Sequence, residues 1–169
     1  MLPKFKKILY CTDFSESAVS AFKYTVYLAK STGAEIHLLH VVESLSSDAK
    51  IALQGCSVDS ASRHKMLKER VKFAEEILQK RQDDFWNNIS PEHQALRSQI
   101  KSSLVIESYP VEAILKVSQN IGVDIIVMGT HERGILHTFL GSIAKSVLKR
   151  TTIPVLVVPV SKENLTTIY

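Results

Sequence analysis

The chain has 169 residues and a mass of 18.9 kDa, one ordinary domain long enough for a substantial core. Hydrophobic residues make up 45% and charged residues 22%, which excludes wholesale disorder, and a net charge of +4 is too mild to argue for nucleic acid. No apolar run approaches the roughly 20 residues that span a bilayer, and no signal-peptide stretch follows the basic start. Cys11 and Cys56 are too few for a disulfide framework or a zinc site. The expectation is a soluble, reduced, cytoplasmic protein with no membrane or nucleic-acid partner.

Residues 7–11 read as a first strand. Residues 12–17 follow with several helix N-cap candidates. A helix is predicted over 16–31, with Ala18, Ala21, Phe22 and Ala29 on one face and Gly33 as its stop. Residues 35–42 form a second strand, apolar as one covered on both faces should be. Residues 43–60 show no firm period and read as a long loop with a short helix at 49–53. A long amphipathic helix is predicted over 62–88, because Leu67, Val71, Ala74 and Leu78 fall at i, i+4, i+7 and i+11. Ser90-Pro91 breaks it. Residues 100–107 are the third strand, and Pro110 opens a helix that Gly122 ends. Residues 123–128 are the fourth strand, Gly141-Ser142 opens the last helix, and 153–158 is the fifth strand. A loose tail is expected over 161–169. The alternation predicts one α/β domain over 1–169, a single parallel five-stranded sheet with helices on both faces. Ligands bind such sheets beyond the carboxyl ends of the strands, where the strand order reverses.

Chemistry is therefore sought in the loops after strands one, two and four. Met128-Gly129 leads into a glycine-bearing loop, and Leu140-Gly141-Ser142-Ile143 opens a helix. A glycine there lets backbone approach a ligand, and a Gly-Ser helix start offers N–H groups, a hydroxyl and the positive dipole end to a phosphate chain. The same residues also read as turn glycines and an ordinary helix cap. Thr12-Asp13 supplies a carboxylate that can accept hydrogen bonds from a base or ribose, unless Asp13 or Ser15 simply caps the following helix. Val41 and Val42 offer an apolar wall for a base, with plain core packing as the alternative for at least one of them.

Ile8-Leu9-Tyr10-Cys11-Thr12-Asp13-Phe14-Ser15-Glu16-Ser17-Ala18 resembles the opening of universal stress proteins. His40-Val41-Val42, Val123 to His131, Leu140-Gly141-Ser142 and Pro154 to Val158 resemble the same family, in order and with fitting spacing, over about residues 6–159. Residues 45–91 match least, in a variable loop and helix insertion at about 43–91 where the family differs in length. The resemblance implies a Rossmann-like, adenine nucleotide alpha hydrolase-like fold, commonly a homodimer through the last strand, acting in stress response through protein partners. It implies ATP, or ADP or AMP, with Mg²⁺ shared by the phosphates. The site residues it implies are Thr12, Asp13, Val41, Met128, Gly129, Gly141, Ser142 and Ile143. Some members bind ATP through Gly, two residues, Gly, nine residues and Gly-Ser or Gly-Thr, and others bind none. Here Glu132 stands at the second glycine, Gly141 arrives one residue early, and Gly134 offers a bend at a shifted position. A carboxylate about 4 Å from a phosphate charge costs about 1 kcal/mol in water and about 4 kcal/mol at an effective dielectric near 20, so the alternative is a dimeric adaptor with a vestigial site.

Other chemistries fit less well. His40, His131 and His137 lack a metal-ligand spacing, so no metal site is expected. The phosphate loop of GTPases and the Gly-x-Ser-x-Gly elbow are absent, and strand three ends without the aspartate of a response-regulator receiver. Cys11 lies near Asp13, whose charge opposes a thiolate. No catalytic set assembles, so the protein is expected not to be an enzyme.

Overall fold

A computed structural model describes residues 2–55, 59–130 and 140–159. The elements run β1 (Lys7–Thr12), α1 (Glu16–Thr32), β2 (Glu35–Glu43), α2 (Ser47–Gly55), α3 (Ser60–Asn88), a 3-10 segment (Pro91–Gln99), β3 (Ile100–Ser108), α4 (Pro110–Ile121), β4 (Ile125–Gly129), α5 (Ser142–Arg150) and β5 (Val155–Val158). The sheet order is β3-β2-β1-β4-β5, and every pair is parallel. The expected five-stranded parallel sheet is therefore present.

Strand alternation divides the core in two. Ile8 and Tyr10 of β1, Ile36 and Leu38 of β2 and Val127 of β4 pack with Ala21, Phe22 and Val26 of α1 and with Leu78 and Trp86 of α3. Leu9 and Cys11, Leu39, and Ile126 and Met128 point the other way, onto Ile114 of α4 and Ala144 and Val147 of α5. Both faces of the central strands are thus dry, which is why they read as continuous apolar runs. From β1 the chain steps outward to β2 and β3 with helices on one face. It then returns beyond β1 to β4 and β5 with helices on the other. The order reverses between β1 and β4, and this is where such a sheet opens a crevice.

Local chemistry sets the boundaries. Ser15 caps α1 by accepting the Ala18 N–H at 3.3 Å, and Gly33 closes it with φ 73°, a conformation that suits glycine. Small buried residues along α1 (Ala18, Ala21 and Ala29) let the helix lie close on the sheet. Asp124 accepts the Lys6 and Lys7 N–H groups at 2.7 and 2.9 Å, tying the start of β1 to the segment entering β4. The short helix expected at 49–53 is present as α2, extended at both ends to Ser47–Gly55. The buried side of α3 is Ala74, Leu78, Gln82 and Trp86, so the predicted face runs further toward the C-terminus, and Leu67 and Val71 are only half-buried. The tail at 161–169 lies outside the described residues.

Candidate functional site

Beyond the carboxyl ends of β1, β2 and β4 lies a cleft of about 620 Å³, part of it open to solvent at the mouth. β1 contributes Cys11 and Thr12, with Asp13 just beyond it. β2 contributes Leu39 and Val41, and β4 contributes Met128 and Gly129. Gly141, Ser142, Ile143 and Ala144 close the cleft from the start of α5, and Pro110 and Ile114 of α4 form the remaining wall. The eight site residues that the resemblance implies therefore lie around one cleft. Val42 is buried but does not line it, so only the first of the two valines faces the cavity.

The sequence reading missed Leu39, Pro110, Ile114 and Ala144, and gave Cys11 no place in the wall. Strand alternation could have found Cys11 and Leu39, because Cys11 follows Leu9 by two positions and Leu39 precedes Val41 by two. Pro110 and Ile114 reach the cleft only through the packing of α4, which no local pattern reports. Glu132, Gly134, His131 and His137 lie outside the described residues, as does Cys56.

The helix start at Gly141 is open. Gly141 is the N-cap of α5 with no side-chain hydrogen bond, no acidic residue stands in the first turn, and the first intrahelical bond runs from the Lys145 N–H to the Gly141 carbonyl at 2.9 Å. The orphan N–H groups and the positive dipole end at Ser142 and Ile143 abut the cleft, an arrangement suited to an anion. α1 differs: Ser15 is its cap, and Asp13 is not. Asp13 Oδ1 accepts the Ser15 N–H at 3.0 Å, and its carboxylate is exposed at the cleft.

Gly129 has a reason of its own. A Cβ there would sit 2.6 Å from the Ser17 carbonyl carbon and 2.7 Å from the Ala18 nitrogen. These are backbone atoms of the first turn of α1, so the end of β4 packs against that helix without room for a side chain. The absence of a side chain thus serves packing whether or not a ligand is present.

The loop after β1 is held from several sides. Thr12 Oγ1 accepts the Phe14 N–H at 3.1 Å, and His40 Nδ1–H donates to the Thr12 carbonyl at 2.8 Å. Phe14 has φ 64°, a left-handed backbone that costs a bulky residue about 1–3 kcal/mol. Burial lowers the His40 pKa, partly opposed by its bond to Thr12 and by the Asp13 charge. Burial pushes the Cys11 thiol up to about 12, so at neutral pH it is an inert wall residue. Among the described residues no cluster of three His, Cys, Asp or Glu side chains could hold a metal ion, and no helix is long and apolar enough to cross a membrane.

The family model "Universal stress protein family" matches residues 4–159. The universal stress protein MJ0577 of Methanocaldococcus jannaschii is 34% identical over 158 residues, covering 91% of this chain and 94% of its own. Universal stress protein G of Escherichia coli O157:H7 is 31% identical, covering 91% and 99%. Among solved structures, that of MJ0577 aligns with a TM-score of 0.60 at 28% identity over 92% of this chain and 96% of its own. UspA of Lactobacillus plantarum aligns at 0.65 and 20% identity over 93% and 99%. A universal stress protein solved in complex with cAMP aligns at 0.53 and 16% identity over 94% and 100%, a likeness of fold.

Proposed function

The chain belongs to the universal stress protein family, and from that premise we propose that its cleft binds ATP or another adenine nucleotide, ADP or AMP. The observation that carries this reading is the meeting of three chemistries around one cleft. Leu39, Val41 and Ile114 offer an apolar slot to a base. Asp13 offers a carboxylate to its amino group or to ribose hydroxyls. The uncapped start of α5 offers N–H groups to phosphates. Backbone donors with a helix dipole stabilise an anion by about 0.3–1 kcal/mol, so the base and ribose contacts must supply most of the affinity. Mg²⁺ would enter with the phosphates and offset part of their charge. The cAMP bound to the fold relative places that nucleotide among the ligands to test.

The protein acts in this reading as a binding protein, its occupancy biasing which protein partner it meets in stress response. The Cys11 thiol is neutral and His40 is engaged with the Thr12 carbonyl, so this reading gives neither of them a nucleophile's or a base's role. Pairing of two copies through β5 completes the proposal. β5 hydrogen-bonds β4 on one side and is the sheet's last strand, with Val155, Leu156 and Val157 only half-buried. Such an edge invites another strand.

A second reading is the dimeric adaptor with a vestigial site. It is favoured by Gly129, whose lack of a side chain α1 packing already requires. One experiment separates the two. Freshly purified protein is denatured, released nucleotides are separated by chromatography, and stripped protein is titrated calorimetrically with Mg-ATP, ADP, AMP and cAMP. Released or micromolar-binding adenine nucleotide supports the first reading; no nucleotide and no heat at millimolar ligand leaves the adaptor.

A further inference from the structure

Phe14 is the only non-glycine residue with a positive φ among the described residues. It stands directly after Asp13, so whatever holds Phe14 also sets the direction of that carboxylate. Two elements distant in sequence hold it. The His40 imidazole of β2 stacks on its ring with centroids 3.9 Å apart and planes at 20°. The Arg81 guanidinium of α3 lies over the ring, 5.3 Å from its centroid, within the range of a cation–π contact. The loop's own bonds complete the arrangement: Phe14 N–H to Thr12 Oγ1, Ser15 N–H to Asp13 Oδ1, and His40 to the Thr12 carbonyl.

Arg81 has no ion pair with a carboxylate among the described residues. The residue is exposed, its guanidinium lies over the Phe14 ring, and its charge also reaches the buried Tyr10 hydroxyl. A second, smaller cavity lies behind Thr12 on the α1–α3 face, lined by Thr12, Arg81 and Gln82 among others. Thr12 therefore borders both this cavity and the cleft. The loop is packed on one side by the proposed ligand's cleft and on the other by α3.

We propose that Arg81 is a positioning residue for the cleft: by holding the Phe14 ring it fixes the loop of Thr12, Asp13 and Phe14, and so ties α3 to the carboxylate at the cleft. The consequence for ligand affinity rests on the nucleotide reading; the mechanical link does not. Any partner whose acidic group draws the guanidinium off the ring loosens the loop and lowers nucleotide affinity. By linkage, bound nucleotide weakens that partner's hold by the same factor. Because Phe14 also packs against the core, its own variants would confound folding with positioning, whereas an exposed arginine separates them.

The test uses the full chain with Arg81→Ala and Arg81→Lys. Amide hydrogen exchange is followed at Phe14 and Ser15, with the β1 amides as internal reference, and AMP is titrated by calorimetry. Arg81→Ala is expected to speed exchange at both loop amides and to weaken AMP binding by about threefold, the scale of one exposed cation–π contact. Arg81→Lys, which keeps a cation, is expected to restore both. Unchanged exchange in Arg81→Ala overturns the proposal, as does faster exchange with unaltered AMP affinity. Weaker AMP binding without faster exchange also overturns it, since Arg81 would then touch the ligand directly. If the wild-type chain binds no adenine nucleotide while exchange responds and lysine rescues it, the nucleotide reading falls and the mechanical link stands.

Discussion

Asp13 is the side chain on which the proposed ligand contact turns. Its exposed carboxylate is not the cap of α1 but accepts the Ser15 N–H, so Asp13→Ala removes both binding chemistry and a bond of the loop, while Asp13→Asn keeps an acceptor oxygen and separates the two. Adenine-nucleotide affinity is expected to fall at least about tenfold, as for a hydrogen bond to a charged group. Calorimetry on a variant with wild-type melting behaviour checks this, and unchanged affinity removes Asp13 from the site. Gly129→Ala should do the opposite. The added methyl meets main-chain atoms of α1 that cannot swing aside, so overpacking costs about 1–3 kcal/mol and lowers the melting temperature by about 3–10 °C. An unshifted melting curve would show that β4 and α1 can separate without cost. Thr12, Asp13, Val41 and Met128 were legible in sequence because they lie near or just past the carboxyl ends of strands. The purpose of Gly129 was not, since a glycine looks the same whether a ligand or a helix comes close.

At the scale of elements, α5 presents an uncapped start to the cleft, whereas Gly141-Ser142 in the sequence read equally as an anion cradle or an ordinary helix cap. Replacing Ser142 with Asp sets a carboxylate at that start. The helix should gain about 0.3–1 kcal/mol in the ligand-free protein, seen as a small rise in melting temperature. ATP binding should weaken while adenosine binding holds, because only the phosphates meet the new charge. Equal losses for both ligands would move the phosphates away from α5. The long helix was less legible. Its 29 residues extend about 44 Å at 1.5 Å per residue, whereas the nine residues of β2 span about 30 Å. The first half of α3 therefore has little sheet to bury against, and the apolar period there predicts a face that is only partly covered. The 3-10 segment after Pro91 carries no side-chain period at all, so only its break was readable.

For the whole molecule, the succession of strands and helices fixed a parallel sheet, but the strand order required the crossovers themselves. That order makes β5 an edge and motivates pairing between copies. Sedimentation at micromolar concentration is expected to give a dimer, and a monomer would remove β5 from the proposal. Two half-buried or buried imidazoles give the fold a pH dependence. His37 shares a hydrogen bond with Ser102 Oγ at 2.8 Å, while its Nε2 is buried without a hydrogen-bond partner, 3.8 Å from the Glu35 carboxylate, whose charge partly opposes the effect of burial. Burial lowers the pKa of both His37 and His40. The unfolded chain then binds more protons than the folded one below about 6.5, so unfolding free energy rises with pH in that window. Stability is complete above about 6.5 and declines as pH falls from there toward the depressed folded values. Melting temperature should hold steady down to about pH 7 and drop between about pH 6.5 and 5, with a shallower drop in His37→Asn. A flat profile across that interval contradicts the buried-neutral state of both rings.

The packing of β4 on α1 has a further consequence for how variation in this chain is read. In a saturation mutagenesis screen scored on ligand capture, substitutions at Gly129 would register as losses and invite a binding role. Scored on cellular abundance, the same substitutions would already be depleted, because the protein would be cleared before any ligand is met. A glycine kept for this reason survives the loss of the ligand, so a lineage that abandons nucleotide altogether still displays the first letter of the binding signature.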